Sequence, residues 1–98
     1  IEAKLAIQNY LERAANTLSS LKSELIETKG NLDAANDKMA SIKEFQFGRT
    51  QAEREQQIKY QSMTISSFEE RINEIEAKIS ETEMEIDKQK RALQNFSN

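Results

Sequence analysis

Carboxylates are the only side chains in this sequence dense enough to suggest chemistry. Glu69 and Glu70 are adjacent, and Glu81, Glu83, Glu85 and Asp87 alternate along one short stretch. Such groups ligate a hard cation or act as an acid/base pair when they converge in a concave, partly desolvated site. The sequence holds little that would complete one. It has no His and no Cys, so it lacks an imidazole base, a thiol nucleophile, a Cys/His zinc site and a Ser-His-Asp triad. Di-iron helical bundles need Glu-x-x-His, and are excluded on the same ground. The pairs Glu55–Lys59, Glu74–Lys78 and Asp87–Arg91 have i,i+4 spacing, which supports helices whose charges face water. The acids are therefore expected to form a solvated face. No catalytic residue, cofactor or metal site is expected, and no enzyme activity.

The basic residues offer little more. Lys88, Lys90 and Arg91 cluster as a phosphate or lipid-headgroup contact would, but Gln89 interrupts them and acids lie upstream. The net charge is −3 over 98 residues, with −1 carried by residues 1–47 and −2 by residues 48–98. No segment neutralises a run of phosphates, so nucleic acid is not an expected partner. No small-molecule substrate is indicated. The longest apolar run is three residues, Leu5-Ala6-Ile7, too short for a membrane-spanning helix. The chain begins at Ile1 rather than Met, and an upstream piece is expected, from trimming or from removal of a leader.

What positions these side chains is a pair of seven-residue repeats. Leu11, Leu18, Leu25, Leu32 and Met39 recur every seven residues, and Ala14, Leu21, Thr28, Ala35 and Ile42 follow three later, with Ile7 ahead of them. In the second half Ile58, Ile65, Ile72, Ile79, Ile86 and Leu93 recur every seven, each followed by Gln61, Phe68, Ile75, Thr82, Gln89 or Phe96. These are the a and d positions of a coiled coil. The polar residues among them (Thr28, Gln61, Thr82 and Gln89) are expected to specify register rather than to bind a ligand.

The two repeats are out of phase. Between them lies Phe45-Gln46-Phe47-Gly48-Arg49-Thr50-Gln51-Ala52-Glu53. Gly48 is expected to close the first helix in the left-handed conformation, and Thr50 with Glu53 reads as a capping box for the second. Gly30 has no such context and is read as an interior helical glycine. The expected fold is all-α, a single antiparallel coiled-coil hairpin over residues 1–98. Its first helix spans about 2–46, its turn about 47–50 and its second helix about 51–96, each helix roughly 65–70 Å long.

Folding back gives a consistent seam. If paired residue numbers total 100, Leu32 meets Phe68, Leu25 meets Ile75, Leu21 meets Ile79 and Ala35 meets Ile65. Large then opposes small, as filling a narrow seam requires. Lys22, Lys29 and Lys43 flank one edge and Glu69, Glu76 and Glu83 the facing one, while Glu24 comes near Arg71 and Lys78. A total of 93 also satisfies the turn but sets Leu32 against Gln61. The rival is a parallel dimer of the second helix through Arg71–Glu76, Lys78–Glu83 and Glu85–Lys90, which in the first helix opposes Lys38 to Lys43. Leu5, Ile26, Phe47, Tyr60, Met63 and Met84 lie off the seam, so two hairpins could pair into a four-helix bundle.

The turn is the best candidate for a contact. Phe45, Phe47 and Arg49, with Tyr60 and Met63 one to two turns beyond, form a candidate interaction tip. The bland alternative is that the aromatics plug the hairpin end. The stretch Ile42–Ile58 resembles the turn of small bacterial exported and lipoprotein-type helical-hairpin proteins. That resemblance implies a periplasmic or membrane-anchored location and no particular activity. The layout is also similar to two hairpin families. In the Trp-x-Gly secretion substrates, Gln46-Phe47-Gly48 would occupy the turn with Phe in place of Trp. In the periplasmic adaptors of efflux pumps, Arg49 and Thr50 would match the polar tip. The expected function is a non-catalytic structural or protein–protein interaction module, acting through a protein partner or self-association. The alternative is a secreted hairpin effector or a hairpin adaptor of an envelope transport assembly.

Overall fold

The computed structural model describes residues 1–97. It is all-α: α1 (Glu2–Glu44, 43 residues) and α2 (Gln51–Ser97, 47 residues) form a helical hairpin, with no strand among the described residues. The absence of Pro and the scarcity of Gly leave nothing to break either helix outside the turn. No described helix is long and apolar enough to cross a membrane.

The turn is built by its own backbone. The Phe45 N–H still donates to the Ser41 carbonyl at 2.8 Å, and the Gln46 side-chain amide donates to the Ile42 carbonyl. A β-turn follows, in which the Arg49 N–H donates to the Gln46 carbonyl at 3.4 Å. Gly48 is its third residue and takes φ +79°, the left-handed value that a type II turn demands there. Gly48 thus does adopt the expected conformation, but in a β-turn rather than as the residue closing α1. That helix stops at Glu44, two residues short of the expected 46, because the β-turn claims Gln46 as its first residue. Thr50 caps α2: its Oγ1 accepts from the Glu53 N–H at 3.2 Å, and its carbonyl from Arg54 at 3.0 Å, but the return bond from the Thr50 N–H to the Glu53 carboxylate, which would complete the expected capping box, is not formed.

The helices contribute to two compact units. The terminal unit comprises the residues up to Leu25 together with those from Ile75 onward. Its core follows the heptads: Ile7, Leu11, Ala14, Leu18, Leu21 and Leu25 on α1, and Ile75, Ile79, Thr82, Ile86, Gln89 and Leu93 on α2, are buried or half-buried. Ile75, at 1% exposure, is the most enclosed large side chain. Tyr10, Glu24, Glu85 and Ala92 are half-buried too. Each lies one residue before an a position, so that edge of the seam is partly covered. Phe96, the expected last d residue, is 50% exposed.

The turn unit is Ile26–Glu74. Thr28, Ala35, Ile42, Gln61 and Ile72 are buried, and Leu32, Met39, Ile58, Ile65 and Phe68 half-buried. The Gln61 amide nitrogen donates 2.8 Å across the seam to the Ala35 carbonyl. Ala35 makes this possible, since its methyl leaves the room that a larger d residue would fill. A groove lined by Asn31, Ala34, Ala35 and Lys38 from α1 and Gln61, Thr64 and Phe68 from α2 shows which stretches face each other. The Gln61–Ala35 bond joins residues whose numbers total 96, between the registers totalling 100 and 93. Gln57 is half-buried, and its Oε1 is enclosed without a hydrogen-bond partner among the described residues.

Candidate interaction surfaces

Two features give the turn its character: a hydrogen-bonded backbone and exposed aromatic side chains. Phe47, second in the β-turn, is fully exposed, and Phe45 is 69% exposed. The aromatics therefore do not plug the hairpin end. Arg49 is exposed beside them. Phe47 is the second residue of the β-turn, and none of the described residues covers it.

The five residues expected to share the tip separate into two surfaces. Phe45, Phe47 and Arg49 belong to the turn. Tyr60 and Met63 lie on the outward face of α2, about 13 and 18 Å along the helix from its start at Gln51. Tyr60 borders a shallow groove with Ala52, Glu55, Gln56 and Lys59, and its hydroxyl accepts from the Gln56 amide at 2.8 Å. Met63 is 60% exposed and sits in a second groove, with Lys59, Ser62, Ser66, Ser67 and Glu70. Sequence reasoning singled out Met63 but missed those five neighbours. The overlooked signal is their spacing, which is the same counted from either end, with opposite charges at the two ends.

The acidic residues form no ligand set: among the described residues no three of His, Cys, Asp and Glu are grouped to hold a metal ion. Glu69, Glu70, Glu81, Glu83 and Asp87 are exposed. Glu85 is half-buried and accepts from Gln89 at 3.0 Å. Lys88 and Arg91, candidates for a phosphate contact, border a groove with Glu81, Glu85, Asp87 and Met84. Three carboxylates on the same rim oppose the approach of an anion. On the helices, Glu55 meets Gln51 at 3.1 Å and Glu74 meets Arg71 at 3.3 Å; these partners lie behind them in the chain, whereas the expected Lys59 and Lys78 lie ahead. Comparison with protein-family models, curated proteins and solved structures finds no match for this chain.

Proposed function

We propose that the chain is a non-catalytic interaction module whose principal contact is the turn. The observation that carries this reading is the full exposure of Phe47, with Phe45 beside it, on a backbone fixed by the Gln46–Arg49 turn and the Thr50 cap. Large aromatic side chains held in water at the end of a well-formed turn are suited to fill a partner's pocket. They lose little conformational freedom on binding, because each has only two side-chain torsions. The heptad seam is the scaffold that presents them.

The test begins with a photo-crosslinking residue in place of Phe47 and, as control, in place of exposed Ser19. The partner crosslinked from position 47 alone is then purified and its affinity measured. Phe47→Ala is expected to raise Kd by about tenfold or more, as for an aromatic anchor, with helicity by circular dichroism unchanged. An affinity unmoved by Phe45→Ala and Phe47→Ala would take the function away from the turn.

A further inference from the structure

The six residues lining the groove around Met63 are spaced symmetrically about a midpoint between Thr64 and Ile65. Lys59 stands at one end and Glu70 at the other; Ser62 and Ser67 lie the same distance in from each end; Met63 and Ser66 flank the centre. Spacings of four, three and four residues, from Lys59 through Met63 and Ser66 to Glu70, keep all four on one narrow stripe of the helix. All six lining residues are exposed.

We propose that this face of α2 is a two-fold docking surface for a second copy of the same chain. Two α2 helices laid antiparallel about that midpoint bring Lys59 of each copy level with Glu70 of the other, twice over. Met63 comes level with the other copy's Ser66, so that a long side chain meets the space left by a short one. Ser62 comes level with Ser67, and these small residues let the helices approach closely. One turn further out, exposed Gln56 comes level with exposed Asn73, an amide against an amide. An isologous contact requires that one patch be complementary to itself under a two-fold rotation. Opposite charges at the two ends of the patch meet that condition, because each end finds its opposite in the antiparallel copy and its like in a parallel one. The area is small, so the dimer is weak and reversible. It leaves the turn aromatics uncovered and is independent of their proposed role.

Sedimentation equilibrium of the whole chain from about 10 µM to 1 mM spans the range where such a dimer dissociates. Lys59→Glu places like charges together twice and is expected to raise the dimer Kd about tenfold at low salt. Glu70→Lys should do the same, and the double exchange Lys59→Glu with Glu70→Lys should restore the original value. Met63→Asp should abolish the dimer. These positions are exposed, so circular dichroism should report unchanged helicity in every variant. Three results would each overturn the proposal: a monomer at every concentration, a dimer indifferent to single charge reversal, or a dimer lost in Phe47→Ala and kept in Met63→Asp. The last would place self-association at the turn.

Discussion

The terminal and turn units share one repeat, but the polar seam residues Thr82 and Gln89 of the first are bonded differently from Gln61 of the second. In the terminal unit these residues are satisfied within their own helix. Thr82 Oγ1 donates to the Lys78 carbonyl at 2.7 Å, and Gln89 donates to Glu85 at 3.0 Å. Neither bond depends on what the opposite helix does. In the turn unit Gln61 donates to the α1 backbone at Ala35, and that bond exists in one register only. A polar residue on a seam therefore specifies pairing only when its partner lies across the seam. One whose partner lies one turn back is merely tolerated. The terminal unit relies on packing around Ile75, whereas the turn unit adds a directional bond and a fixed turn.

The largest expected effect tests the packing half of that contrast. Ile75→Ala should cost about 2–5 kcal/mol in urea unfolding, with half-buried Ile65→Ala costing less. Equal losses would mean that the two units are packed alike. Next comes the seam. Gln61→Ala should cost about 1–2 kcal/mol, from a buried hydrogen bond and lost packing, while Thr82→Val, which keeps shape and loses only a bond within its helix, should stay within about 0.5 kcal/mol. If Thr82→Val proves as damaging as Gln61→Ala, the distinction between cross-seam and own-helix partners fails. The last comparison separates turn from helix by one substitution of opposite sign. An added Cβ meets nothing within 4 Å at either glycine. Gly48→Ala should nonetheless lose about 1–2 kcal/mol through its positive φ, and Gly30→Ala should gain up to about 1 kcal/mol.

The seam was legible because burial along a helix follows a period, and every apolar a or d residue except Phe96 is buried or half-buried. Gly48 and Thr50 were legible for a different reason, since left-handed backbone and an N-cap each select very few residue types. The end of α1 was harder to read. Whether Gly48 closes a helix or occupies the third place of a β-turn depends on which carbonyl the next N–H finds, and both choices use the same residue. The choice of partner for Glu74 was equally hidden, because exposed ion pairs differ by only tenths of a kcal/mol and Arg71 and Lys78 are both within reach. Tyr60 and Met63 were grouped with the turn by proximity in sequence. The helical rise carries them onto a face of their own.

The chain holds two tyrosines and no tryptophan. Tyr10 is half-buried in the terminal unit, and Tyr60 is exposed in the turn unit with its hydroxyl bonded to Gln56. Each unit thus carries a single tyrosine. Replacing either tyrosine with Phe leaves an emission that reports on the other unit alone, so the two can be followed separately through denaturation without a label.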